Sequence, residues 1–240
     1  MTARAATRKS VEQERVHPAV PSIAVLGLSL GFLFAAVSGQ FAVRQIQVVG
    51  AGLPVDTIDR AAGVEGANIF TVRSDEVVAN LASLQEIAVQ RVDVSFPDHV
   101  TIYARMRQAM VAWKAPGGLY LLDPEGRIIK AVTSTTLPVI TSTERDRSLG
   151  PGIVEAVREA VVLLPAAPNG AIASFSYDPH VGLTITGRAG WRAVVGMGSR
   201  RAMANRIATL AAILRKSKAQ GRPFPGVDLR SKYPVITGTP

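Results

Sequence analysis

Few side chains in this sequence could carry covalent or metal chemistry. Cysteine is absent, which removes thiol catalysis, thiolate metal sites, thiol redox chemistry and disulfides. The histidines are His17, His99 and His180. His17 lies in a short basic head, His99 in a Pro97-Asp98-His99 turn and His180 in a loop after Asp178-Pro179, so each reads as a surface residue. Asp123 and Glu125 sit in an Asp123-Pro124-Glu125-Gly126 segment. Calcium takes about six to eight oxygen ligands, and this segment lacks them. It reads instead as a hairpin tip with proline at its second position. No nucleophile, base and acid cluster together anywhere. The sequence therefore predicts no catalytic residue, no cofactor and no metal, and leaves recognition as its chemistry.

Charge is the resource for recognition. The formal net charge is +9. Met1 to Ala160 holds sixteen basic and sixteen acidic residues, whereas Val161 to Pro240 holds eleven basic residues with only Asp178 and Asp228 as acids. The excess thus belongs to the last third, where a basic helix from Ser199 to about Lys218 carries Arg200, Arg206, Arg215, Lys216 and Lys218. Such a face suits acidic proteins, anionic lipid heads or anionic wall polymers, or serves only solubility.

The elements that position this surface begin with an apolar run. Ala19 to Val43 contains no Asp, Glu, Lys or Arg, and a bilayer core needs about 20 apolar residues in helical form. Arg4, Arg8, Lys9 and Arg15 precede it, while Arg44 and then Arg60 follow it. Basic residues stay cytoplasmic, so the head (1–18) is placed inside and the body outside, across one transmembrane helix (19–43). A cleavable signal peptide, whose apolar core spans roughly 7–15 residues, is the alternative; it leaves the body in the same compartment. In that compartment nucleic acid is no partner.

The body reads as two modules. In residues 44–107 a strand ending at Val49 is followed by a helix from Pro54 to Ala62, stopped by Gly63. Gly66 to Phe70 is a loop, with Ile69 and Phe70 expected in the core. A second helix starts at Ser74, with Val77, Leu81 and Leu84 on one face. Two strands then alternate: Val92, Val94 and Phe96, then Val100, Ile102, Ala104 and Met106. Strand, helix, helix, strand, strand packs as two helices on one face of a three-stranded sheet. Residues 108–236 are richer in strands, at 110–114, 119–122, 127–132, 171–177, 182–186 and 191–196. Two helices interrupt them: one at 152–164, with Ile153, Val157, Ala160, Val161 and Leu164 inward, and the basic one, with Met203, Ile207, Leu210 and Leu214 inward. Val227-Asp228-Leu229-Arg230 is extended, and 237–240 is a tail. The fold class expected is α+β, with a largely antiparallel sheet in the second domain.

These landmarks, in this order, resemble the FtsQ/DivIB family of bacterial cell-division proteins. Val48-Val49-Gly50 looks like the end of the first strand of that family's POTRA domain. Gly66, Asn68, Ile69 and Phe70 look like its G-x-N-x-F loop. At the domain joint Arg107, Ala112 and Trp113 match the family's run, whereas its glutamate and proline have no counterpart. The Leu121-Leu122-Asp123 to Gly126 turn resembles its l-v-D-x-x-G hairpin, and Val227-Asp228-Leu229-Arg230 its V-D-L-R strand.

The resemblance implies a non-enzymatic, bitopic scaffold at the division septum, in the inner (plasma) membrane with its body extracytoplasmic. It implies partners of the FtsB and FtsL type, held by β-strand addition, and further divisome components recruited through the POTRA domain. Strand addition needs an edge with unpaired N–H and C=O groups. The implied edge is one last strand from Val227 to Val235, with Val227, Asp228, Leu229, Arg230, Ser231, Lys232 and Tyr233 as partner-binding residues and the basic helix steering an acidic partner segment. Two rival readings remain: a cationic exported wall enzyme or wall-binding protein, and a POTRA-type transport chaperone.

Overall fold

The computed structural model describes residues 41–143, 149–167, 169–221 and 224–237, together with residue 31. The head, and the apolar run apart from Gly31 and residues 41–43, lie outside the described residues. No helix among the described residues is long and apolar enough to cross a membrane.

The first domain has β1 (Gln45–Val49), α1 (Val55–Ala62), α2 (Ser74–Leu81), β2 (Ile87–Ser95) and β3 (His99–Met106). Its sheet order is β1-β3-β2, with β1 parallel and β2 antiparallel to β3. The period-two faces of β2 and β3 bury Val92, Val100, Ile102 and Ala104 against Ile58, Ala62, Val77 and Leu81 of the helices. Gly63 closes α1 in the left-handed region, at φ 65°, as glycine allows without steric cost. Phe41 to Val43 belong to this core and its rim: Val43 is buried and donates its N–H to Ala67 O (2.8 Å), and Ala42 bridges Asn68. The domain therefore begins inside the apolar run. Ile69 is buried as expected, but Phe70 is 45 % exposed. The turn at Asn68, whose Oδ1 accepts the Phe70 N–H (3.0 Å), turns that ring outward.

The second domain is one nine-stranded mixed sheet, ordered β12-β11-β10-β9-β8-β7-β4-β5-β6. Its strands are β4 (Val111–Ala115), β5 (Gly118–Leu122), β6 (Ile128–Val132), β7 (Val139–Ser142), β8 (Ile172–Asp178), β9 (Gly182–Gly187), β10 (Arg192–Gly196), β11 (Gly226–Asp228) and β12 (Val235–Ile236). Antiparallel pairings dominate, but β4–β7, β7–β8 and β10–β11 are parallel. Two helices cover one face: α3 (Pro151–Leu163) and α4 (Arg200–Ala219). Met203, Ile207, Leu210 and Leu214 of α4 meet Ile153, Val157, Ala160 and Leu164 in one core with Trp113 and Trp191. Val161, expected inward, is 41 % exposed.

Trp191 shows how closely this core is fitted. Its Nε1 donates to Asn169 O (2.7 Å), and its ring lies over Gly187, where an added Cβ would stand 2.1 Å from the indole. Gly187→Ala is therefore expected to overpack the site and cost about 1–3 kcal/mol, read as a lower urea midpoint with an unchanged slope.

The two domains are joined by Arg107, just past β3. Its guanidinium donates to Ile87 O (3.2 Å) in the first domain and to Asp123 Oδ2 (2.5 Å) in the second. Asp123 indeed lies in a hairpin tip, with Gly126 N–H donating to its carbonyl (2.9 Å). Its carboxylate, however, is turned inward and is 1 % exposed; Oδ1 accepts from Arg127 N–H (2.8 Å). Lys130 of β6 adds an exposed pair with Glu86 (3.2 Å).

Candidate functional site

A nine-stranded open sheet has two edges. The β6 edge faces the first domain, where Arg127 and Ile128 share a groove with Leu84 and Ile87. The other edge, β12, is exposed along its length: Val235 is 58 % and Ile236 64 % exposed. The free edge is thus at the C-terminal end, but its construction differs from the single strand expected over 227–235.

The chain reaches this edge through the α4 crossover. Ser199 caps the helix, its Oγ accepting from Ala202 N–H (3.3 Å). The strand β11 then returns parallel to β10 and lasts only three residues. Gly226 is needed there because a Cβ would meet Arg192 O at 2.6 Å and Thr237 Oγ1 at 2.7 Å. Val227 and Leu229 are 0 % and 2 % exposed, and Leu229 N–H donates to Val194 O (2.8 Å). These two residues position the edge from beneath. After Asp228 the chain bends away, runs through Ser231, Lys232 and Tyr233, and comes back after Pro234 as β12, antiparallel to β11. One strand has become two, and β12 flanks β11 on its outer side.

Asp228 and Arg230 make that bend. Arg230 donates to Asp228 through its own backbone N–H (2.9 Å), through Nε (3.0 and 3.1 Å) and through Nη2 (2.7 Å). The Arg230 guanidinium holds the Asp228 carboxyl below the usual carboxylate range, and the carboxylate raises Arg230 in return. Because the folded-state pKa is lowered, the clamp's contribution is complete above the ordinary aspartate value of about 3.9 and is lost as pH falls through the lowered folded value. Arg230→Gln is expected to move the Asp228 titration, followed by carboxyl NMR shifts, back up toward the ordinary value. An unmoved titration would mean that the backbone N–H alone sets it.

Arg206, expected to steer a partner, is a tie within the fold. Its Nη1 donates to Val195 O and Met197 O (2.8 Å each), and its Nη2 to Arg230 O (3.1 Å). It thereby fixes the end of β10 and the bend before β12 to α4. Arg200 is also engaged, with Pro124 O (3.0 Å) and Glu125 (3.3 Å). Arg215, Lys216 and Lys218 are exposed and make no ion pair among the described residues. Lys232 lies over the ring of Tyr233 (5.6 Å), which is 74 % exposed.

Between α4 and β12 runs a groove of about 600 Å³, lined by Thr209, Ile213, Lys216, Phe224, Pro234 and Ile236 among others. A peptide paired to β12 would have this groove for alternate side chains, with the α4 cations at its rim. The expected strand ends at Val235 and the expected partner-binding residues end at Tyr233, so Ile236 lies outside both. The signal available was an exposed β-branched pair behind Pro234, a residue that suits an edge. Among the described residues no His, Asp or Glu cluster could hold a metal. His99 Nδ1 sits 2.7 Å from Asp98, and His180 lies in the turn closed by Asp178.

Comparison with known proteins fits this architecture. Residues 111–230 match the family model described as cell division protein FtsQ/DivIB, C-terminal, a span from β4 to the Asp228–Arg230 clamp. The chain is 28 % identical to a cell division protein FtsQ of Chloroflexus aurantiacus over 216 residues, covering 85 % of this chain and 76 % of the relative. It is 26 % identical to that of Chloroflexus aggregans over 260 aligned positions, covering 96 % and 92 %.

Proposed function

Because this chain belongs to the FtsQ/DivIB family of cell-division proteins, we propose that it is a bitopic scaffold of the divisome that captures small coiled-coil partners of the FtsB and FtsL type by adding a partner strand to β12. The observation that carries this reading is the exposed β12 edge beside a groove of mixed apolar and polar lining and the cations Arg215, Lys216 and Lys218. Edge pairing supplies affinity from backbone hydrogen bonds, the groove selects side chains, and Arg215, Lys216 and Lys218 draw in an acidic segment. The protein recruits and does not catalyse. Residues 19–40 span the inner membrane once, the head stays cytoplasmic, the body stands outside at the septum, and the first domain takes up other divisome components.

Affinity capture of the full chain from detergent-extracted membranes tests this. Two small coiled-coil membrane proteins are expected in the eluate. Peptidoglycan fragments in their place would favour the wall-binding reading and overturn the scaffold.

A further inference from the structure

Three phenylalanine rings gather at one end of the first domain, and two of them are exposed. Phe70 stacks edge-on against Phe41 (centroids 5.0 Å) and packs against Phe96 (4.9 Å). Phe70 is 45 % and Phe96 61 % exposed. They come from three separate segments that backbone hydrogen bonds knit together. Ile69 N–H donates to Phe41 O (2.8 Å) and Gly66 N–H to Val43 O (2.9 Å), while Arg44 and Gln45 N–H both reach Asp98 O (3.1 and 3.2 Å) beside Phe96. The Asn68 turn holds Phe70 outward while Ile69 fills the core. The cluster is a rigid platform: Phe41 packs against the core of the domain, whereas Phe70 and Phe96 turn their rings to its surface.

Its place in the chain says what covers it. Phe41 directly follows Gln40, the last residue of the uncharged apolar run before the folded domain. One residue spans at most about 3.6 Å, so there is no linker between the run and the platform. We infer that Phe41, Phe70 and Phe96 insert into the outer interfacial layer of the same bilayer that residues 19–40 cross, fixing how the first domain stands on the membrane. This inference rests on the membrane-anchored reading above. Phenylalanine on the apolar face of an interfacial element sinks into the headgroup–acyl boundary. An exposed contiguous apolar patch marks a protein or membrane contact, and the apolar run that leads into Phe41 selects the membrane.

The test uses the full chain reconstituted in phosphatidylcholine vesicles, with Phe96→Trp and Phe70→Trp made separately. The native Trp113 and Trp191 are 0 % and 1 % exposed in the second domain, so wild-type emission serves as the background. The added indole is expected to emit to the blue of its position in water and to lose most of its emission in vesicles with brominated acyl chains. Alkaline carbonate washing of the same vesicles reports anchoring independently. Retention of the chain with an unquenched added indole in both variants would overturn the inference and leave the anchor standing. Release of the chain by carbonate would overturn both.

Discussion

Arg107→Ala is expected to lower stability by about 3–5 kcal/mol, the cost of breaking a buried ion pair by removing one partner. Asp123 is 1 % exposed and its Arg107 partner 16 %, so the remaining carboxylate could not recover its hydration in place. Only the Arg127 N–H would still serve it (2.8 Å). The loss corresponds to a fall of about 1–2 M in the urea midpoint for a protein of this size. Because Arg107 also donates to Ile87 O (3.2 Å), the same change loosens the grip of the first domain on the second. The neighbouring pair Lys130–Glu86, half exposed on both sides, provides the contrast: Glu86→Gln should cost no more than about 1 kcal/mol. Equal effects for the two would show that the buried joint does not hold the domains together.

Ile236→Pro is expected to weaken partner capture roughly tenfold to a hundredfold while the domain stays folded, since leaving a buried backbone group unpaired costs about 1–3 kcal/mol. The reasoning is one of register. Thr237 N–H donates inward to Gly226 O (3.1 Å), and Val227 faces Ile236 across the β11–β12 pair. Donors alternate sides along an antiparallel strand, so the Ile236 N–H points away from β11, toward any added strand. Proline there removes a donor that the monomer does not use. Leu229→Pro behaves differently: its N–H is spent on Val194 O and its side chain is 2 % exposed. That change should lose capture by unfolding the edge, with a large fall in the urea midpoint. Capture unchanged in Ile236→Pro would mean that partners bind elsewhere.

What could be read from the residues alone divides along physical lines. Period-two strands with one wet face, such as β3, and helices with a regular apolar stripe, such as α4, were legible because burial on one side writes a pattern into the sequence. The Val139–Ser142 strand was not, being short and central with no alternation to mark it. Phe70 was misplaced because hydrophobicity does not say which of two adjacent apolar residues a turn will bury; the Asn68 hydrogen bond decides that. Asp123 was recognised as part of a turn, but its role depends on Arg107, sixteen residues away. At the candidate site Val227 to Arg230 stand out as a conspicuous motif; the structure buries Val227 and Leu229 and pairs Asp228 with Arg230. The Asp228–Arg230 clamp and the Arg206 tie bend the chain, and that bend carries the free edge to Val235 and Ile236. No local pattern could have shown that Arg206 would be consumed by three carbonyls, since each acceptor lies on a different part of the chain from the helix.

The most direct measurement is photo-cross-linking of the full chain in the membranes of its own host, with a benzophenone amino acid at Ile236 and, as a control at the far end of the sheet, at Lys130. A covalent adduct to a small coiled-coil membrane protein at Ile236 and none at Lys130 is the expected result. The same partner captured from Lys130, with nothing captured from Ile236, would contradict strand addition at β12.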